Sequence, residues 1–363
     1  RVTHLDLDLA LDFERRIASG SVRLDLERAD RDAPLTLDVE GLAIQAVRGA
    51  DGTPRRFQLG AEHDRLGGPL EIELSPSDRA VTITYATPPG AEALQWLEPA
   101  QTAGGRHPFL FSQGQSVLTR TWIPMQDTPG VRVTYSARVR CPEPLTVVMS
   151  AERTGRDAEG AFLFRMARPV PCYLIALGCG ELVSRDLSPR AAVWAEPATI
   201  AAAAHEFGDT EAMIRCAEQL YGPYLWGRYD LLILPPAFPF GGMENPLLTF
   251  VTPTVIVGDR SLVALIAHEL AHSWSGNLVS NATWSDFWLN EGFTVYFEKR
   301  IMERLYGVAR ARMEMVLDRK DLEQSLARFE PWKTVLRPDI TSRHPDDSFS
   351  NVPYQKGALF LRR

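Results

Sequence analysis

Residues 268–272 read HELAH, and they lie inside the apolar segment SLVALIAHELAHSW, residues 261–274. This pattern predicts a helix that is apolar on nearly every side and is therefore buried. Burying His268, Glu269 and His272 together costs free energy unless something compensates. Residues four apart lie on one face of a helix, so the two imidazoles can converge on one metal ion while Glu269 points beside it.

A third metal donor follows in the next predicted helix. Glu291 lies in WLNEGF, residues 288–293, nineteen positions after His272. Two histidines and one glutamate are the donor set of a catalytic zinc site, which leaves the fourth tetrahedral position to water. Such an ion lowers the pKa of the water toward about 7, and Glu269 is placed to take its proton. The pattern predicts one Zn²⁺ held by His268, His272 and Glu291; the alternative is three hydrogen-bonded core residues.

The segments around this motif predict a mainly helical second half. We place the N-cap of the histidine helix at Ser261 and its C-terminal stop at Gly276. The helix that carries Glu291 is expected over residues 285–306. One clear strand, YDLLILPP, precedes the loop FPFGGMENP, residues 238–246.

The first half of the chain shows the two-residue period of β structure. In HLDLDLALDF, residues 4–13, one face carries Leu5, Leu7, Leu9, Leu11 and Phe13. Similar runs recur between Gly, Pro and Asp turns, so a mainly antiparallel β domain is expected over residues 1–185. The Pro-containing stretch SRDLSPRAAVWAEPATI, residues 184–200, is expected to link it to a helical domain over residues 186–363.

Composition narrows the class of protein. The 363 residues are 45% apolar and 23% charged, which is typical of a globular protein with two domains. A net charge of −7 gives no basic surface for nucleic acid or an anionic membrane. The longest apolar run, near PCYLIALGCG, is too short to span a bilayer, and the four cysteines form no CxxC pair. We therefore expect no nucleic-acid partner and no membrane span.

Five segments carry a resemblance to one known family. They are HELAHSWSGNLVSNATWSDFWLNEGFTVYFE, PFGGMENPLLTFVTP, FSQGQSVLTRTWIPMQDTPGVRVTYSARV, PVPCYLIALGCGEL and VPYQKGALF. Together they resemble the M1 family of zinc aminopeptidases, closest to its leukotriene A4 hydrolase branch. The resemblance implies an N-terminal antiparallel β saddle followed by a mainly α-helical, thermolysin-like zinc peptidase domain. The family's C-terminal helical domain has no counterpart here, so we expect a truncated catalytic domain.

The resemblance implies that the GGMEN loop binds the start of a peptide. Glu244 matches the carboxylate that pairs with the free α-ammonium of the substrate. Gly241, Gly242 and Met243 belong to the same motif, and the glycines would let the backbone approach the substrate closely. Gln115, in FSQGQ, matches the contribution of the β domain to this pocket better than Gln113 does.

Three positions near the end of the chain also match the family pattern in part. Tyr354, in NVPYQKG, matches the tyrosine whose hydroxyl stabilises the developing oxyanion. Asp346 matches an aspartate that favours a basic first residue in peptides and takes part in lipid hydrolysis. Phe349 stands where the branch often has a second tyrosine, so the missing hydroxyl makes lipid chemistry less expected.

The sequence thus predicts a zinc aminopeptidase that removes one residue from short peptides with a free N-terminus, with Arg and Ala expected at that position. Two alternatives remain open: hydrolysis of a lipid epoxide at the same site, and a non-catalytic peptide-binding relative. Retention of Glu269 and Tyr354 disfavours the latter, and Glu244 disfavours an endopeptidase. We expect a monomer in the cytoplasm, with a periplasmic or secreted location as the alternative.

Overall fold

A computed structural model describes residues 1–341 and 343–363. The chain forms two compact units, Arg1–Leu182 and Val183–Arg363. The boundary predicted between residues 185 and 186 lies three residues further along. The predicted order, a sheet-rich N-terminal part followed by a part that carries the helices, is confirmed.

The first unit is built almost entirely from strands. Their bounds are β1 Val2–Asp12, β2 Ile17–Leu26, β3 Leu35–Val39, β4 Ala43–Gly49, β5 Phe57–Leu59, β6 Gly68–Ile72, β7 Ala80–Ala86, β8 Leu94–Leu97, β9 Phe109–Ser112, β10 Arg132–Arg140, β11 Thr146–Met149, β12 Glu152–Arg156, β13 Phe162–Pro171 and β14 Leu177–Gly180.

These strands form three sheets. The largest has the order β12-β13-β10-β1-β2-β7-β4, and its strand pairs are antiparallel except for β1 with β10, which is parallel. The others have the orders β11-β14-β9-β8 and β3-β6-β5. The alternation in β1 follows the prediction, because Leu5, Leu7, Leu9 and Leu11 are buried. Phe13 lies just beyond the strand and packs edge-on against Trp96.

The described residues of the second unit form one sheet and six α-helices. Its strands are β15 Val183–Ser188, β16 Ala191–Ala195, β17 Asp230–Ile233, β18 Gly242–Met243 and β19 Leu248–Val251. Its helices are α1 Ile200–Glu206, α2 Thr210–Tyr221, α3 Ala264–Ala271, α4 Phe287–Tyr306, α5 Val308–Arg328 and α6 Gly357–Arg362. The sheet has the order β15-β16-β17-β19-β18, with β16, β17 and β19 parallel.

Two details of the second half were predicted wrongly. The stretch taken as a linker forms β15 and β16, so the unit has five strands where one was expected. The histidine helix α3 begins at Ala264 and ends at Ala271, so neither Ser261 nor Gly276 bounds it. Ser261 lies in a turn before the helix, and the chain leaves the helix at His272.

The helix α3 packs one side into the apolar core of the second unit, which places the polar residues of the HELAH motif in buried or half-buried positions. Ile266, Ala267, Leu270 and Ala271 join a core cluster with side chains of β16, β17 and α2. This packing fixes the helix on its apolar side and leaves its histidines to face α4. No helix in the described ranges is long and apolar enough to cross a membrane.

Candidate metal centre

The helices α3 and α4 bring the three predicted metal donors together. His268 Nε2 lies 3.2 Å from His272 Nε2, and Glu291 Oε2 lies 3.3 Å from the first and 3.5 Å from the second. A tetrahedral ion bound at 2.0–2.2 Å requires donor atoms about 3.3 to 3.6 Å apart. The spacing of the three atoms therefore fits one zinc ion.

Hydrogen bonds at the opposite ring nitrogens orient both imidazoles. His268 Nδ1 lies 3.1 Å from Glu298 Oε2, and His272 Nδ1 lies 3.1 Å from the carbonyl oxygen of Ser275. Because both partners accept, each Nδ1 keeps a proton, so in the neutral ring that binds a metal each Nε2 presents the lone pair. Both rings are thus held in the tautomer that binds a metal.

The buried carboxylate of Glu291 supports the same assignment. Its Oε2 atom has no hydrogen-bond donor among the residues that the structure describes. The nearest polar atoms are the two Nε2 atoms. A buried carboxylate here needs a positive charge beside it, which either protons on the imidazoles or a bound metal ion supplies. The residues present therefore fit the zinc that the donor set implies.

Glu269 lies close to His272, one of these donors, and to Glu244. Burial raises the pKa of its carboxyl to about 7; the charges of His268 and His272 lower that pKa, and those of Glu244 and Glu291 raise it. Burial lowers the pKa of His272, but the Glu244 and Glu291 carboxylates raise it to about 9. A carboxyl that titrates near neutrality can both accept and release a proton.

The GGMEN loop packs directly on this carboxyl. A Cβ atom at Gly242 would lie 2.3 Å from Glu269 Oε1, so any other residue at this position of β18 would displace this carboxyl. At Gly241 the nearest atom to such a Cβ would be Leu265 Cδ1, at 3.1 Å. Close approach of Gly241 and Gly242 to the substrate remains a prediction. The close contact that the structure shows at Gly242 is with the side chain of Glu269.

Glu244 is buried, and its carboxylate is close to His272 and Glu269. One donor atom of each of the three residues lies within 4.8 Å of the others. Asn290 donates to Glu244 Oε1 at 3.4 Å, and Asn277 donates to its carbonyl oxygen at 2.7 Å. A carboxylate fixed beside a metal site can bind a cationic group of a ligand.

Tyr354 lies on the same side of α3 as the donors. It belongs to a π-helical turn, Val352–Lys356, and its ring packs against His268 with centroids 6.2 Å apart. Burial, together with the charges of Glu291, Glu244 and Glu269, raises the pKa of its hydroxyl well above the usual range. The hydroxyl therefore remains protonated and can donate a hydrogen bond.

Of three further predicted residues, two are exposed and one is buried. Asp346 is exposed in a short 3₁₀ turn, Pro345–Ser348, and its role stays a prediction. Phe349 is 46% exposed and contacts the rings of Phe240 and Tyr354. Met243 is buried and pairs with Phe250 between β18 and β19.

Gln115 follows β9 in the first unit. Its part in the site also stays a prediction, as does that of Gln113.

Sequence reasoning missed Glu298, the partner of His268. A signal was present, because Glu298 follows Glu291 by seven residues and so lies on the same face of α4. It also missed Gly292 and Gly357, where α4 meets the segment that carries Tyr354. A Cβ atom at either glycine would lie 2.8 Å from the Cα atom of the other.

Two histidines on one helix, a glutamate on the next and a buried carboxylate between them define a metallopeptidase of the HExxH class. The chain belongs to peptidase family M1. Residues 2–174 match the Peptidase M1 N-terminal domain, and residues 205–363 match the Peptidase family M1 domain. The family resemblance predicted from the sequence is confirmed.

The relatives place the chain within one branch of the family. It is 46% identical to leukotriene A-4 hydrolase of Xenopus laevis, over 99% of this chain and 61% of the relative. It is 40% identical to aminopeptidase B of Mus musculus, over 99% and 59%.

A solved structure of yeast leukotriene A4 hydrolase in complex with bestatin agrees with the fold. The TM-score is 0.95 at 38% identity, and the match covers 99% of this chain and 58% of that one. The chain thus spans about 60% of the length of the relatives it matches.

Proposed function

We propose that the protein is a zinc-dependent aminopeptidase that removes the first residue from peptides with a free N-terminus. The observation that carries the proposal is the convergence of His268, His272 and Glu291 next to two further buried carboxylates, Glu269 and Glu244. The names of the relatives, which include aminopeptidase B, support the reaction class.

The metal ligands are His268, His272 and Glu291. Zinc held there would polarise the scissile carbonyl and make the attacking water more acidic. Glu269 accepts the proton of that water and passes it to the leaving amine, since its carboxyl titrates near neutral pH. The Nδ1 hydrogen bonds to Glu298 and Ser275 keep both imidazoles in the required orientation.

The other two groups act on the substrate. Glu244 pairs with the α-ammonium group and so sets the distance from the N-terminus to the scissile bond. The hydroxyl of Tyr354 donates to the oxygen of the scissile carbonyl as negative charge develops on it. Asp346 favours a basic first residue.

Comparison of free and blocked substrates tests the proposal. The full-length protein is assayed with alanyl and arginyl amides and with their N-acetylated forms, with and without a chelator. We expect hydrolysis of the free amides alone, with loss of activity on chelation and recovery with Zn²⁺. Equal turnover of free and acetylated substrates would refute the role of Glu244 as an amine anchor.

Hydrolysis of a lipid epoxide is the second candidate. Two observations favour it: the relative named leukotriene A-4 hydrolase, and the contacts that Phe349 and Phe287 make with the ring of Tyr354. These rings offer an apolar surface to a lipid chain. Conversion of an allylic fatty-acid epoxide to a diol by the parent protein, and loss of this conversion in Glu291→Gln, would establish this activity. If the parent converts no epoxide, peptide hydrolysis remains the only proposed activity.

A further inference from the structure

Buried charged side chains extend from the ring nitrogen of His268 that faces away from Glu291. Glu298 Oε2 lies 3.1 Å from His268 Nδ1, and Lys299 Nζ donates to Glu298 Oε1 at 2.7 Å. The side chains of Glu298 and Lys299 are 8% and 10% exposed. A lysine in such a place needs counter-charges, and the proposed chemistry does not itself use this one.

The counter-charges lead to the segment that carries Tyr354. Lys299 Nζ lies 3.0 Å from Asp318 Oδ2 of α5. Gln355 Nε2 donates to Asp318 Oδ1 at 3.4 Å. Gln355 is the neighbour of Tyr354 in the π-helical turn. Lys299 is thus connected on one side to a predicted metal ligand and on the other to the predicted oxyanion donor.

We propose that Glu298, Lys299, Asp318 and Gln355, here called the Lys299 network, hold Tyr354 at its working distance from the metal. The inference rests on the proposed function. Glu298 fixes the ring of His268, whereas Asp318 fixes the turn behind Tyr354, and both carboxylates bind the same ammonium group. Lys299 and Asp318 are therefore positioning residues, because they touch neither the substrate nor the metal.

The contact between Gly292 and Gly357 shows why such a network is needed. It lets α4 and the turn approach each other at backbone level, but a glycine contact has no side chain to lock the turn along the helix axis. The hydrogen bond from Gln355 to Asp318 supplies that lock from α5.

The test is a double-mutant cycle in the zinc-loaded, full-length protein. Asp318→Ala should lower kcat about 10-fold to 100-fold, the range found when groups that orient metal-site residues are removed. KM and bound zinc should stay at the parent level. In a Tyr354→Phe background the same substitution should have a much smaller further effect, because its route through the Tyr354 turn is gone. Equal losses in both backgrounds, loss of zinc, or an unchanged kcat would overturn the proposal.

Glu323→Ala is the matched control, since Glu323 is an exposed member of an ion pair with Arg319 on the same helix. Lys299→Met is a second variant that removes the ammonium group and keeps an apolar stem. If Asp318→Ala does not fold, Lys299→Met takes its place in the double-mutant cycle with Tyr354→Phe, and the same changes in kcat and bound zinc are measured.

Hydrogen exchange separates this inference from the proposed function. In Asp318→Ala, amides of residues 350–358 should exchange faster than in the parent, whereas Glu323→Ala should leave them unchanged. This readout needs no substrate, so it stands even if peptidase activity is absent. Unchanged exchange in residues 350–358 would overturn the positioning role.

Discussion

Glu269 faces the backbone of Gly242, in a buried place where its carboxyl titrates near pH 7. Replacing Glu269 by glutamine keeps the shape of the side chain and removes its ability to take a proton. We expect turnover to fall about 10²-fold to 10⁴-fold, the usual contribution of a general base. Bound zinc should remain at the parent level, because Glu269 is not one of the three converging donors. Steady-state rates and metal analysis on the same preparation check both statements.

Glu323→Gln is a suitable control for that substitution, since Glu323 is an exposed glutamate on α5. Loss of zinc in Glu269→Gln would show that the carboxylate is a ligand. Turnover equal to that of the control would show that it is not the base.

The substitution Tyr354→Phe separates substrate binding from catalysis. The hydroxyl is needed where negative charge develops, so we expect kcat to fall about 10²-fold to 10³-fold, the cost of one oxyanion donor. KM should change little, because the ring still packs against His268. Full kinetic curves for an alanyl amide give both constants. A raised KM with an unchanged kcat would assign Tyr354 to substrate binding instead.

Local periodicity explains which site residues the sequence could predict. His268, His272 and Glu291 follow from helix spacing and from the donor set of zinc, and the structure brings their donor atoms within 3.5 Å of one another. Asn277 and Asn290 could not be predicted, because they meet Glu244 only through tertiary packing. The pairing of Lys299 with Asp318 likewise depends on how α4 and α5 pack.

At the scale of elements, the crossing of α4 with the Tyr354 segment depends on two glycines. Gly292→Ala places a methyl group 2.8 Å from Gly357 Cα, so the two backbones must separate. Overpacking of this kind costs about 1–3 kcal/mol. We expect a lower melting temperature and a lower kcat, because Tyr354 moves with the segment. Calorimetry and kinetics on the same variant test this.

Gly90→Ala is the matched control for the glycine prediction, since a Cβ atom there meets nothing within 4 Å. A Gly292→Ala protein as stable and as active as this control would show that the two backbones can separate without loss of stability or activity.

The elements that the sequence did not predict lack a strong local signal. The strand β16, AAVWA, is rich in alanine, which has low β propensity, and β15 is largely exposed. The pairing of β15 with β16, and of β16 with β17, arises from the fold of the whole unit. The start of α3 was misplaced because Ser261 has the chemistry of a cap but stands three residues before the first helical turn.

At the scale of the whole molecule, the metal should stabilise one part of the chain selectively. The three converging donors lie within Val183–Arg363. An ion that binds only the folded state adds about 2.7 kcal/mol when it is present at 100 times its Kd. We expect chelation to speed hydrogen exchange in α3 and α4. Amides of β1, β2 and β10 should not respond.

Mass spectrometry of exchanged peptides, with and without chelator, measures that response. The variant His272→Ala should already exchange as fast in α4 as the chelated parent, and added Zn²⁺ should not slow it. Protection of α4 by zinc in that variant would mean that the ion binds elsewhere.

The contact of Gly242 with Glu269 limits how the specificity of this protein can be changed by engineering. A library that varies the whole GGMEN loop to admit other substrate termini would also disturb the proton acceptor, because a side chain at Gly242 occupies its space. Most members of such a library would be discarded because they lack activity, before their substrate range could be measured. Gly241, where a Cβ atom meets only the end of the Leu265 side chain, leaves more freedom for such changes.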